Sequence, residues 1–333
     1  MRKKQAFRWG LIGTGGIAKT FARDIALLEG HSVVAVGSRT LSKAQEFASE
    51  FSAIGLGSYE ELVESDVDAV YVATPHSLHA ENSILALNAK KPVLCEKPFS
   101  VNALEAERMI AAARSNSVAL MEAMWSRFLP HYAIVREIVD SGELGELVAL
   151  YADHGQPLPA DRYYRLHAPE LAGGALLDLG IYPISLAFMV LGEPDSIIAS
   201  SQPTVSGVDA QTSMIFSYFT GQQAIMTTTL KVRTPCTAQI IGTKGRINID
   251  SNFYTPTSMQ VVIDGKVARE YPKNYQGHGI REQASAFADL VRNGEIESPV
   301  MSHQESLAIM HVMDEIREMI GLKYPFESSK NVD

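Results

Sequence analysis

The sequence predicts an α/β protein in two parts. An N-terminal doubly wound parallel sheet is followed by a C-terminal α+β domain with an open, mostly antiparallel sheet. Three observations predict this. Short apolar runs alternate with helix-period segments from residue 7 to residue 121. Between residues 146 and 271, short β-patterned runs follow one another with few helices to separate them. The length, 333 residues, also exceeds what one ordinary core supports. The expected domains are 1–123 and 124–333.

Residues 7–12 read as the first strand, and Gly13-Thr14-Gly15-Gly16-Ile17-Ala18 follows at once. The spacing of Gly13, Gly15 and Ala18 fits G-x-G-x-x-G/A, which lets a backbone turn tightly and approach a pyrophosphate. A helix over 17–28 would aim its positive dipole end at those phosphates. Glycine-rich turns are common, but here a strand precedes, a helix follows, and a second strand at 32–37 comes at the expected distance. Helices at 42–51, 59–64, 79–88 and 103–115 then alternate with strands at 69–73, 93–96 and 118–121. Right-handed crossovers of this kind build a Rossmann-type sheet. The competing reading is a doubly wound fold without a dinucleotide.

The second strand ends in Gly37-Ser38-Arg39-Thr40. A carboxylate there would bond the adenosine ribose and repel a 2′-phosphate. Ser38, Arg39 and Lys43 instead offer room, a donor and positive charge, which points to NADP. NAD stays possible, because an Arg39 that only stacks on adenine tolerates both. Thr74-Pro75-His76-Ser77-Leu78-His79 closes the strand at 69–73, with Pro75 fixing the backbone as the chain leaves the sheet. It reads as a turn facing the cofactor, in which His79 bonds backbone or starts the next helix. His76 and His79 are spaced i, i+3, as metal ligands can be, but no third ligand accompanies them at ligand spacing, so no metal is expected.

Val93-Leu94-Cys95-Glu96-Lys97-Pro98 is an apolar run between two prolines, read as a buried strand. Glu96 and Lys97 stand at its carboxyl end, where open α/β sheets place ligands. A lysine there suits proton handling or pairing with an anion. The alternative is a surface ion pair.

Composition narrows the function classes. With 29 basic and 38 acidic residues the net charge is −9, so neither a nucleic-acid nor an anionic-membrane surface is expected. No uninterrupted apolar run of about 18 residues exists, so no spanning helix is predicted. Met1-Arg2-Lys3-Lys4 leads into a strand without the apolar stretch of a signal peptide. Two cysteines far apart, Cys95 and Cys236, read as buried thiols of a cytoplasmic protein.

After a helix at 131–141 the pattern turns to strands at 146–153, 197–202, 213–219, 223–230, 236–242, 246–249, 259–263 and 266–271. Asp264-Gly265 is a hairpin signal between the last two. Helices at 176–191, 280–293 and 303–320 are too few to cover such a sheet. Its open face, carrying Ile225, Thr227 and Thr229, predicts a homo-oligomer, dimer or dimer of dimers; the alternative is a solvated face on a monomer.

Together the glycine turn, Ala73-Thr74-Pro75-His76-Ser77-Leu78-His79 and Glu96-Lys97-Pro98 resemble the glucose–fructose oxidoreductase / inositol dehydrogenase (Gfo/Idh/MocA) family. Met121-Glu122-Ala123-Met124-Trp125-Ser126-Arg127-Phe128-Leu129-Pro130 and Gly173-Gly174-Ala175-Leu176-Leu177-Asp178-Leu179-Gly180-Ile181-Tyr182 narrow the likeness to its dihydrodiol and NADP-dependent xylose dehydrogenase branch. The resemblance runs from about Phe7 to Tyr324-Pro325. It implies that Lys97 contacts nicotinamide ribose and substrate, that Pro98 is cis, and that subunits associate through the second sheet. One departure is Ala172-Gly173-Gly174, with two glycines where many members have three; little consequence is expected.

Asp178 and Tyr182 are four apart, on one helical face just before Pro183. Singly, Asp178 reads equally as a helix cap and Tyr182 as a core residue. With Lys97 in the same cleft, as the resemblance implies, they become a proton-transfer group for hydride exchange with a sugar, cyclic polyol or diol. Tyr182 is the base, helped by the Lys97 cation, and Asp178 orients Lys97 or a substrate hydroxyl. Trp125 would wall the substrate site, and Arg127 would contact cofactor or an anion. The loop 156–171 brings Tyr163 and Arg165 as substrate candidates, or is simply solvated. The expected cofactor set is Gly13, Thr14, Gly15, Gly16, Ile17, Ser38, Arg39, Lys43, Thr74, Pro75, His76, His79, Glu96, Lys97 and Arg127. The competing functions are a cofactor-binding sensor without turnover and a glycosidase with a retained nicotinamide.

Overall fold

The computed structural model describes residues 6–327; Met1-Arg2-Lys3-Lys4, on which the signal-peptide reading rests, lies outside them. Six strands form the first sheet: β1 (Phe7–Ile12), β2 (His31–Gly37), β3 (Ile54–Leu56), β4 (Ala69–Val72), β5 (Val93–Glu96) and β6 (Leu120–Ala123). All pair in parallel, in the order β3-β2-β1-β4-β5-β6. Between them run α1 (Gly16–Ile25), α2 (Leu41–Ser49), α3 (Tyr59–Glu64), α4 (His79–Asn88) and α5 (Ala103–Asn116). The order reverses between β1 and β4, so the ends of these strands frame the ligand crevice of a doubly wound sheet. β5 lies between β4 and β6 with every residue buried, which is why its sequence is a continuous apolar run. The strand absent from the sequence reading is β3, three residues long at the sheet edge.

The chain continues through α6 (Pro130–Asp140), β7 (Leu147–Gly155), α7 (Tyr164–His167) and α8 (Ile181–Leu191). Next come β8 (Ser196–Pro203), β9 (Asp209–Ser217), β10 (Gln223–Thr229), β11 (Ala238–Gly242), β12 (Gly245–Ile249), β13 (Met259–Ile263) and β14 (Lys266–Tyr271), then α9 (Arg281–Asn293) and α10 (His303–Met319). The second sheet runs β14-β13-β12-β11-β7-β10-β9-β8 and is antiparallel except where β7 meets β10. Asp264 and Gly265 make the β13–β14 hairpin, both with positive φ (49° and 76°).

α8 is apolar on nearly all sides and is buried accordingly. The segment Pro169–Leu191 as a whole is apolar and long enough to pass for a membrane span, which the run count of the sequence overlooked. Its apolar window is 89% buried inside the protein, so the fold uses it as a core element.

By packing, the chain divides into two compact units that do not follow the single cut at 123/124. One compact unit takes the chain up to Phe128 together with Gln276–Leu307; the other takes Leu129–Tyr275 and the chain from Ala308 on. The cause is a cap made across the sequence. The Asp24 carboxylate on α1 accepts the backbone N–H groups of His278, Gly279 and Ile280 at 2.8, 2.8 and 2.9 Å, satisfying the amides at the start of α9. α9 then sets Phe287 against the fully buried Trp9, whose ring also meets Phe7 and Phe21.

Candidate functional site

In the first unit the glycine turn has the shape its spacing predicts. Gly13 has φ +110°, and a Cβ there would lie 2.7 Å from the Ala73 carbonyl oxygen, so β1 and β4 can end side by side only over a glycine. At Gly15 and Gly16, by contrast, an added Cβ would meet nothing within 4 Å. These exposed residues open a ten-residue helix that has no side-chain cap. Bare amides at the positive end of a helix, with open space before them, fit the pyrophosphate of a dinucleotide. Thr14 and Ile17 flank this mouth, half-buried.

At the end of β2, Ser38 is buried and its Oγ accepts the Thr40 N–H at 3.3 Å. Arg39 and Lys43 are exposed, and the Arg39 guanidinium lies close enough to the Tyr59 phenol for its charge to be felt there. At the end of β4, the Thr74 hydroxyl accepts from Asn82, Pro75 leads into a short turn, and the buried His76 ring meets His79 edge-on.

The turn after β5 is held from three sides. The Tyr71 hydroxyl on β4 donates to the Glu96 carboxylate, with the Tyr71 ring stacked on Phe21. His79, at the start of α4, sets Nδ1 2.8 Å from the Pro98 carbonyl and Nε2 3.0 Å from the Thr74 carbonyl. Burial, then the neighbouring His76, lower its pKa to about 3, and Lys97 adds to the effect, so the ring is neutral. Glu122, on β6, accepts the Phe99 N–H at 3.1 Å and the Ser306 hydroxyl at 2.8 Å. Burial pushes its carboxyl up to about 7 against the pull of those bonds and of Arg127. The Lys97–Pro98 bond is cis, and Lys97 is half-buried on this clamped turn.

His79 bonds backbone and starts α4, as the sequence reading of this turn has it. Glu96 faces inward to Tyr71 and shapes the turn. Because both ring nitrogens of His79 meet carbonyl oxygens, it is also not available to a metal. Arg127, 2% exposed, is committed to Glu305 and to the Met301 sulfur, so it is an internal ion pair and not an anion contact. Trp125 is buried and stacks on His278, ring centroids 5.1 Å apart.

In the second unit the chemistry gathers around the start of α8. Residues Leu176–Gly180 form a π turn, and α8 begins at Ile181. Pro183 has no N–H to give the Leu179 carbonyl four residues back, so the helical ladder cannot run on through this point. That carbonyl takes a backbone N–H of the following turn and also meets Nδ1 of the buried His154, at 3.1 Å, from β7. Asp178 lies within the π turn and Tyr182 in the first turn of α8. Asp178 is buried and pairs with Arg165 at 3.2 Å, which unites two residues expected separately. Tyr182 is nearly buried, its ring 4.6 Å from Tyr254 and 5.2 Å from His154. Tyr163 packs against the cluster of Leu158, Leu166, Ala175, Leu179 and Leu230, so its ring is a packing group.

The glycines before this turn are sterically demanded. A Cβ on Gly174 would stand 2.1 Å from Asp209, whose buried carboxylate accepts the Leu176 N–H. Ala172 is less innocent than expected: it is buried at φ 55°, in the left-handed region where an alanine is strained.

His154, Gln156 as an individual residue, Tyr254, Glu122 and Asp209 were not singled out as site residues from sequence. A histidine or a glutamate at the end of an otherwise apolar strand is the signal that could have found His154 and Glu122.

A parallel sheet with an open helix mouth at its switch point, beside a clamped lysine turn, defines a nicotinamide-dinucleotide oxidoreductase. Comparison with known proteins agrees. The oxidoreductase family with NAD-binding Rossmann fold matches residues 7–124, and the GFO/IDH/MocA C-terminal domain matches residues 132–248. The chain belongs to the Gfo/Idh/MocA oxidoreductase family, and its first unit is the NAD(P)-binding Rossmann domain. It is 36% identical to D-xylose 1-dehydrogenase (NADP(+)) of Hypocrea jecorina, over 96% of this chain and 93% of that one. It is 37% identical to trans-1,2-dihydrobenzene-1,2-diol dehydrogenase of Xenopus laevis, over 96% and 100%. Among solved structures, a 3-ketoreductase of Actinomadura kijaniata in complex with NADP and TDP-benzene superposes with TM-score 0.85 at 27% identity, covering 95% of this chain and 98% of that one.

Proposed function

We propose that the chain is an NADP-dependent dehydrogenase or reductase. It acts at a secondary alcohol or hemiacetal carbon of a sugar, a cyclic polyol or a trans-dihydrodiol. The observation that carries this reading is the turn at Lys97. Buried side chains from α4 and β6 hold its backbone and one from β4 holds the Glu96 carboxylate beside it, an arrangement expected where one ammonium must be aimed. The relatives named for xylose and for a dihydrodiol support the substrate range.

When bound, the nicotinamide supplies or accepts the hydride. Tyr182 takes the proton of the reacting hydroxyl in oxidation and returns it in reduction. A phenol, with an ordinary pKa of ~10, is a weak base near neutrality, and an adjacent ammonium favours its ionised form. Lys97 supplies that charge. Asp178, oriented by Arg165, receives a substrate hydroxyl, and Trp125 walls the site. Ser38, Arg39 and Lys43, with no carboxylate at the end of β2, favour a 2′-phosphate. The two buried thiols fit a reducing, cytoplasmic setting.

A second copy of the chain covers the open face of the second sheet. Tyr151, Ile225, Ile215 and Ile198 stand in register across β7, β10, β9 and β8. Tyr151 and Ile198 are 43% and 67% exposed, which supports an apolar row left for a partner.

The test is a panel of aldoses, inositols and dihydrodiols with NADP⁺ and with NAD⁺, followed by absorbance of the reduced cofactor. Turnover with NADP⁺ is expected; a preference for NAD⁺ would overturn the Arg39 reading. Normal turnover in Lys97→Met would remove the central assignment.

A further inference from the structure

We infer that Gln156 is a specificity residue that presents a fixed hydrogen-bond acceptor to a second substrate hydroxyl, beside the one that reacts. The inference rests on the reading of Tyr182 as the proton-transfer group. It follows from counting donors. The Leu179 carbonyl oxygen can only accept, so His154 must carry its ring proton on Nδ1, which leaves a lone pair on Nε2. The Gln156 amide nitrogen lies 2.8 Å from that Nε2 and 2.7 Å from the Tyr254 hydroxyl oxygen. An amide has two N–H groups, and these two contacts use both. The side chain therefore cannot flip without setting its oxygen against a lone pair. What it has left to offer a ligand is its Oε1, an acceptor and nothing else.

The setting says which hydroxyl it would meet. Gln156 is half-buried and bonds the two rings, His154 and Tyr254, that also flank the Tyr182 ring. Those rings lie nearly parallel, centroids 4.1 Å apart, and so make a stiff support. An acceptor mounted beside the proton-transfer phenol suits a donor hydroxyl on the neighbouring carbon. Sugars and trans-1,2-diols both carry one; a simple secondary alcohol does not. A site built to bond a hydroxyl discriminates against its absence, because the buried acceptor is then left unpaired.

The experiment is a cycle between residue and hydroxyl. Values of kcat/KM are measured with NADP⁺ for D-xylose against 2-deoxy-D-xylose, and for trans-cyclohexane-1,2-diol against cyclohexanol, using the pair with the faster turnover. The wild type is expected to favour the substrate with the extra hydroxyl by about 10- to 100-fold. Gln156→Met should lose most of that factor on the hydroxylated substrate and less than about 3-fold on the other. Tyr254→Phe, which releases one N–H, should reduce the preference partway. Equal losses on both substrates in Gln156→Met would show a merely structural role, and an unchanged ratio would equally overturn the inference. Tyr182→Phe separates the two readings. Full turnover there removes the Tyr182 role, whereas an inactive Tyr182→Phe with an unmoved ratio in Gln156→Met sinks only the role of Gln156. Failure of both pairs with either cofactor overturns the proposed function itself.

Discussion

At Lys97 the turn is clamped from three elements: a histidine and a glutamate bond its backbone, and a tyrosine bonds the Glu96 carboxylate. At Tyr182 the helical ladder is broken at Pro183, and one histidine from β7 adds a bond to the Leu179 carbonyl while aromatic rings pack the side chain. The first turn positions a residue through polar bonds to backbone and to a neighbouring carboxylate; the second positions one through ring packing around a single side-chain bond to backbone. The difference teaches where each should be fragile. A polar clamp fails by leaving buried groups unpaired, and an aromatic one fails by losing shape.

The largest effects belong to the two positioned residues. Lys97→Met and Tyr182→Phe should each lower kcat/KM by about 10²- to 10⁴-fold, the usual range for a proton-transfer group. Thermal melting should change little, since neither substitution removes a clamp. A variant that melts early would reverse this division of labour.

Next come the clamps. His79→Leu leaves the Pro98 and Thr74 carbonyls buried without a donor between them, at about 1–3 kcal/mol for an unpaired buried group. His154→Phe takes one donor from the Leu179 carbonyl, which keeps its backbone N–H, removes the acceptor of the half-buried Gln156 amide, which water can replace, and keeps a ring against Tyr254. Urea unfolding should therefore show His79→Leu as the more destabilised of the two. The opposite ranking would mean that ring packing, and not backbone satisfaction, governs both turns.

Glu122 gives the polar clamp a pH signature. Its carboxyl is raised to about 7 in the folded protein by burial, above its value in the unfolded chain. The folded state therefore holds a proton that the unfolded state has released, and stability falls as pH rises from about 5 to 7. Glu122→Gln has no such proton to lose. Relative to wild type it should gain stability at pH 8 but not at pH 5, as read by denaturant unfolding at each pH. An identical pH dependence in both proteins would remove Glu122 from this account.

The smallest effect is at Ala172, which precedes the π turn in a left-handed conformation. Ala172→Gly should relieve about 1 kcal/mol of strain, offset in part by the greater freedom of glycine in the unfolded chain. A melting curve shifted upward by a few degrees at most is expected, with kcat unchanged.

Much of the nucleotide half could be read directly. Gly13, Gly15 and Lys97 announce themselves because a strand, a turn and a helix are built from neighbours in sequence, and each has its own hydrophobic period. Arg127 shows the limit. Its residue type suggested a ligand contact, yet it is paired with Glu305, 178 residues away. His154 was missed for the same reason, since its Leu179 partner lies 25 residues on.

Local pattern was enough for the two sheets and the cofactor turn, while the grouping of Lys97, Asp178 and Tyr182 came from the family resemblance and is a proposal. Only the folded chain decided that residues 276–307 return to the first unit, through an aspartate that meets the start of α9 some 255 positions later. It alone decided, too, that Glu122 and His154 hold the turns that carry the chemistry. Period and spacing record what a residue needs from its neighbours in the chain, whereas a buried polar side chain takes its partner from whatever element packing brings beside it.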